Sequence, residues 1–108
     1  TTGDTTLITA TSAQHTIFVQ RIIGYITTDA AQSIEFEDTA STPVVLATIT
    51  TSPGDETRWD FDYGEEGWPC TEGTNLRMDV SAAGLAGNVK VYAYQRLTSA
   101  QAAGTNNL

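Results

Sequence analysis

Residues 56–63 read Glu-Thr-Arg-Trp-Asp-Phe-Asp-Tyr, the sharpest alternation in the chain. In an extended strand successive side chains point to opposite sides, so Trp59, Phe61 and Tyr63 share one face and Arg58, Asp60 and Asp62 the other. A helix at 3.6 residues per turn would scatter the three rings around its axis. The segment therefore predicts a half-buried β-strand, and Pro53-Gly54-Asp55 before it supplies the turn chemistry that starts it.

Working outward, the same two-residue period recurs. Residues 16–27 predict a strand with Ile17, Val19, Ile23 and Tyr25 on one face and Phe18, Ile22 and Ile26 on the other. Both faces are apolar, which places it centrally in a sandwich or beneath a neighbouring subunit. Residues 33–37 put Ile34 and Phe36 inward and leave Glu35 and Glu37 facing water. Residues 43–50 form a further strand opened by Pro43, at a position where a missing N–H is tolerated. After a loop at 64–73 holding Trp68-Pro69, residues 74–81 turn Leu76, Met78 and Val80 inward and Arg77 and Asp79 outward. A small-residue loop at 82–87 leads to residues 88–97, with Val89, Val91 and Ala93 on one face and Lys90, Tyr92 and Tyr94 on the other.

With a strand at 7–11, this makes seven or eight short strands separated by turn signals every 8 to 12 residues, and no long helix. The expected fold is all-β, an antiparallel β-sandwich. At 108 residues the chain suits one core, a single domain over 1–108. Residues 1–6 and 98–108 are small and polar and read as an amino-terminal arm and a flexible carboxy-terminal tail.

Composition excludes several function classes. The chain holds 5 basic and 13 acidic residues, a formal net charge of −8. Arg21, Arg58, Arg77, Lys90 and Arg96 are too few and too dispersed for the basic stripe that grips phosphates, so no nucleic-acid partner is expected. No apolar run approaches the roughly 20 residues of a spanning helix, and no basic-then-apolar leader opens the sequence, so neither membrane insertion nor secretion is expected. Cys70 is the only cysteine, which rules out an intrachain disulfide and a cysteine zinc cluster.

Catalytic chemistry is sparse. His15 is the sole histidine and Cys70 the sole thiol, and no glycine-rich elbow surrounds Cys70. A packed thiol and a strand-edge histidine are the simpler reading, and no enzyme is expected. Seven acids fall within 55–72, and Asp60, Asp62 and Glu65 begin like a calcium loop. The fifth position of that loop is Gly64 and no Glu stands at the twelfth, so alternation explains Asp60 and Asp62 better and neither a metal nor a cofactor is expected. Carboxylates beside Trp59, Tyr63 and Trp68 would suit sugar stacking better than glycoside hydrolysis, which needs a deeper cleft. Core packing or a subunit interface competes with that reading most strongly at Trp59.

Residues 67–97, GWPCTEGTNLRMDVSAAGLAGNVKVYAYQRL, and residues 21–38, RIIGYITTDAAQSIEFED, resemble the small β-sandwich proteins of tailed-bacteriophage structural modules, most of all the capsid decoration (cement) proteins. The resemblance implies a jelly-roll-like sandwich that sits as a homotrimer on the outside of the mature capsid. It would clamp neighbouring copies of the major capsid protein after being made in the host cytoplasm. The apolar surplus of residues 16–27 and the aromatic strand point the same way, toward oligomerisation. The candidate subunit or capsid contacts are Thr5, Leu7, Phe18, Ile22, Trp59, Phe61, Tyr63, Trp68, Tyr92 and Tyr94. The alternative is a head-fibre or tail-tip module that binds a receptor or glycan through Trp68 and nearby acids.

Overall fold

The computed structural model describes residues 3–81 and 85–99. Its eight strands are β1 (Gly3–Ile8), β2 (His15–Thr28), β3 (Ser33–Asp38), β4 (Val45–Thr50), β5 (Glu56–Asp62), β6 (Trp68–Pro69), β7 (Leu76–Val80) and β8 (Leu85–Leu97). They form two antiparallel sheets packed face to face, and no helix occurs among the described residues. One sheet runs β1-β7-β3-β4. The other is built around β2, whose whole length pairs with β8 on one side while β5 and the two-residue β6 lie end to end along the other. Early strands thus pair with late ones in both sheets, the long-range wrapping of a jelly-roll-like sandwich.

The core lies between the inner faces. Ile17, Val19, Ile22 and Ile26 of β2 and Trp59 of β5 meet Ile34 and Phe36 of β3, Ile49 of β4 and Leu76, Met78 and Val80 of β7. Trp59 and Phe36 touch across the gap with ring centroids 5.8 Å apart. The indole fits because its in-register neighbour on β2 is Gly24: a Cβ there would lie 2.9 Å from Trp59 Cζ2 and collide with the Asn88 carbonyl oxygen.

Several expectations change at this level. Strict alternation divides the apolar residues of β2 between two faces, but Gln20 forms a β-bulge: Val19 pairs with Ala93 and Arg21 with Tyr92. The extra residue shifts the phase, so Ile17 and Val19 before it and Ile22 and Ile26 after it all point inward, and Ile23 and Tyr25 move to the outside. Backbone and side chain fill the bulge, the Gln20 carbonyl accepting from Tyr63 N (2.8 Å) and Gln20 Nε2 donating to the Glu65 carbonyl (2.7 Å).

Two strands are long rather than short, at 14 residues for β2 and 13 for β8. The expected arm is not free over 3–6, since β1 pairs with β7 there, and its strand ends at Ile8 rather than Thr11. The expected tail is tied at its start, where Thr98 and Ser99 donate backbone N–H groups to the Gln14 carbonyl, while residues 100–108 and 1–2 lie outside the described residues. The expected loop at 82–87 is already β8 from Leu85. Glu37 does not face water: it is 4% exposed because Arg77 lies over it, donating from Nε to Glu37 Oε2 at 2.7 Å.

Buried polar clusters close the two ends of the sandwich. At one end Asp38, wholly buried, accepts backbone N–H groups from Ala40 (3.2 Å), Val44 (2.9 Å) and Thr71 (2.8 Å). It thereby joins the β3–β4 loop to the segment after β6. At the other end the Thr28 hydroxyl donates to Thr51 Oγ1 (3.0 Å), which also accepts from Gln32 N (3.1 Å).

Candidate functional site

Apart from buried Asp38, the register sorts the charged side chains of the strands onto the outer faces. On the β1-β7-β3-β4 sheet, Asp4, Asp79 and Glu35 lie in one cross-strand row, with Arg77 and Glu37 in the next. Arg77 bridges the rows, at 3.1 Å from Asp4 and 2.6 Å from Glu37. Partial burial pushes the Asp79 carboxyl above the ordinary range, and the hydrogen bond and charge of Asp4 and the charge of Glu37 add to it. Carboxylate oxygens of Asp4, Glu37 and Asp79 come within 4.8 Å of one another, but Arg77 already supplies the cation they face. This outer face is acidic, with four carboxylates and one guanidinium.

The other outer face has the opposite character. In register across β5, β2 and β8 it carries Glu56, Arg58, Asp60 and Asp62; Phe18, Arg21, Ile23 and Tyr25; and Asn88, Lys90, Tyr92, Tyr94 and Arg96. Four of the five basic residues of the chain are therefore here. Arg21 grips Asp60 through two bonds (2.8 and 2.5 Å), which holds the Asp60 carboxyl below the usual range. Arg58 pairs with Glu56 and lies 5.5 Å from the centre of the Tyr25 ring. Lys90 and Arg96 have no carboxylate partner among the described residues.

Aromatic rings hold this face in place. Phe18 and Tyr94 stack at 5.1 Å with planes 10° apart, and the Arg96 guanidinium sits 4.7 Å over Phe18. Tyr94 is anchored further by its hydroxyl, which donates to the Glu66 carbonyl at 2.6 Å. Tyr92 next to it is 51% exposed. Below, Ile23, Gly24, Tyr25, Arg58, Asn88 and Lys90 line a shallow depression of about 290 Å³.

The residues expected at an interface separate into five groups. Ile22 and Trp59 are buried core and unavailable to any partner, because the bulge and Gly24 carry them inward. Leu7, Phe61 and Tyr63 are half-buried against that core, and the Tyr63 hydroxyl donates to the Leu46 carbonyl of β4 at 3.0 Å. Thr5 lies exposed on β1, opposite Met78. Phe18, Tyr92 and Tyr94 come together on the outer face just described. Trp68 stands apart at the side of the sandwich, 46% exposed and edge-on to Tyr63 at 5.9 Å.

Asp60, Asp62 and Glu65, the residues that begin like a calcium loop, do not come together. Asp60 is held by Arg21, Asp62 Oδ1 accepts Gly64 N (2.9 Å) in a local turn, and among the described residues they form no ligand group with Glu65. Cys70 is buried; burial foremost, with the negative charge of Asp38, pushes its thiol up to about 12. His15 Nδ1 lies 2.7 Å from Ser12 Oγ, within a turn where Ser12 Oγ also accepts Gln14 N. No helix of the described residues is long and apolar enough to cross a membrane.

Sequence reasoning missed Asp38 and the clustering of cations. Asp38 reads as one more acid after a strand, and only the return of Thr71 from the other sheet reveals its task. Lys90, Tyr92 and Tyr94 share a face in the alternation of residues 88–97, but the addition of Arg96 to that row and the stacking on Phe18 come with the pairing to β2. Comparison with protein-family models, curated proteins and solved structures finds no match to this chain.

Proposed function

We propose that this chain is a non-enzymatic docking protein of a virion exterior, a capsid decoration protein that binds the major capsid protein as a homotrimer and stabilises the mature shell. The observation that carries this reading is the opposite character of the two outer faces. The β8-β2-β5 face presents stacked rings and most of the cations, while the β1-β7-β3-β4 face is acidic. A sandwich polarised in this way orients itself on an acidic protein surface, aromatic face down, and leaves the acidic sheet outward. Aromatic and arginine side chains are the types that dominate protein-binding surfaces. Trimerisation would add avidity to three modest contacts.

The test adds the protein to mature, undecorated capsids. Co-sedimentation, a raised capsid melting temperature and a trimeric mass by light scattering are expected. A monomer that leaves the melting temperature unchanged would refute the reading. Exposed Trp68 beside Tyr63 favours a second reading, glycan binding by a head-fibre or tail-tip module. Retention on host-cell glycans that is abolished by Trp68→Ala, without capsid binding, would select it.

A further inference from the structure

Strand β8 is unusual as an edge. It runs 13 residues, pairs with β2 along one side, and has no strand on its other side among the described residues. An edge of that length offers a row of free backbone donors and acceptors, a template for an added strand. Beyond Asn88 its outer-facing side chains are Lys90, Tyr92, Tyr94 and Arg96, about 7 Å apart in succession and about 20 Å from first to last. In a chain with 13 acids, these two cations alone have no carboxylate partner among the described residues. Tyr94 and Arg96 are preset by the stack on Phe18 and the bond to Glu66.

We propose that this edge receives an acidic, extended segment of a partner protein as an additional strand. Backbone pairing along β8 would supply the ladder, and two carboxylates six residues apart would meet Lys90 and Arg96, with Tyr92 and Tyr94 covered between them. A second copy of β8 fits poorly. In antiparallel register centred on Tyr92, each Lys90 falls diagonal to the other copy's Arg96, and a slide of two residues, which centres the pairing on Ala93, sets the cations directly opposite. The same charges that repel a second copy attract an acidic strand. Because the row lies on the docking face, the inference deepens the function proposed above by naming the chemistry of the partner.

The probe is a capped nonapeptide, Thr-Asp-Val-Thr-Val-Thr-Val-Asp-Thr, followed by fluorescence anisotropy and by amide hydrogen exchange of the whole protein. Saturable binding below millimolar concentration is expected, with slowed exchange along β8. The double variant K90E/R96E should bind at least tenfold more weakly, and so should a peptide N-methylated at alternate residues, which cannot complete the ladder. Both substituted side chains are exposed, and an unchanged urea midpoint would show that the variant remains folded. No binding at 5 mM, equal binding by K90E/R96E, or equal binding of a peptide with Lys in place of Asp would each overturn the inference. If wild type and K90E/R96E decorate capsids equally, the edge is refuted while the function stands. If the peptide binds and capsids are ignored, the edge stands and the capsid reading fails.

Discussion

Replacing Asp38 with Asn tests how the sandwich is closed. The carboxylate is fully buried and receives three backbone N–H groups, Ala40 and Val44 on Oδ1 and Thr71 on Oδ2. Burial opposes its charge, yet these donors and the Thr71 hydroxyl outweigh that penalty and hold the carboxyl below its ordinary range. In Asp38→Asn one oxygen becomes an NH₂ that cannot accept. With the amide oxygen toward Ala40 and Val44, the Thr71 N–H is stranded, at about 1–3 kcal/mol. The two remaining bonds lose their charge assistance, up to about 1 kcal/mol each, and relief of the buried charge returns part of this. The expected net loss is about 2–4 kcal/mol, a large share of the roughly 5–15 kcal/mol that holds a domain together. In a chain of this length it would lower Tm by roughly 10–25 °C.

The sign with pH follows from linkage. A carboxyl with a depressed folded-state pKa contributes stability above its unfolded value of about 3.9, and that contribution is lost as pH falls through the folded value. Urea unfolding of wild type and variant at pH 7 and pH 3 should give curves well apart at neutral pH and closer in acid. A difference under about 0.5 kcal/mol at pH 7, or the same difference at both pH values, would refute the staple.

Three further outcomes are expected. Asp79→Asn removes a charge set directly opposite both Asp4 and Glu35; because the folded-state pKa is raised, the wild type is penalised above it, so the variant should be more stable at pH 7 by about 0.5–1 kcal/mol. Thermal melts should show that gain shrinking as pH falls below the raised pKa and in 1 M salt, and a destabilised variant at pH 7 would contradict it. Gly24→Ala should cost about 1–3 kcal/mol by urea titration, since the new methyl meets Asn88 O and Trp59, and an unaffected midpoint would mean that the indole has room to move. Cys70, buried and pushed up to about 12, should resist thiol-specific reagents at pH 8 in the native protein and react at once in denaturant; rapid native labelling would show the end of the sandwich opening.

The periodicity of residues 56–63, 74–81 and 88–97 was enough to settle the all-β class and the inward residues of β5, β7 and β8, because a strand facing one core writes its burial into every second position. Composition likewise exposed the scarcity of cations. The bulge at Gln20 was invisible to that logic: one unpaired residue inverts the phase of everything beyond it, and nothing in the residue types of 16–27 marks the inversion. Strict alternation therefore groups Ile22 with Phe18 as an interface candidate, on a surface Ile22 never reaches, and groups Tyr25 with the buried Ile17 and Val19, from which the bulge separates it. The outer face that gathers the cations was decided later still. Its cations come from β2, β5 and β8, far apart in sequence, and share a surface only because hydrogen-bond register aligns their outward positions. Alternation is a local property of one strand, whereas register and the burial of Asp38 are fixed by which strands meet, and that is a property of the whole fold.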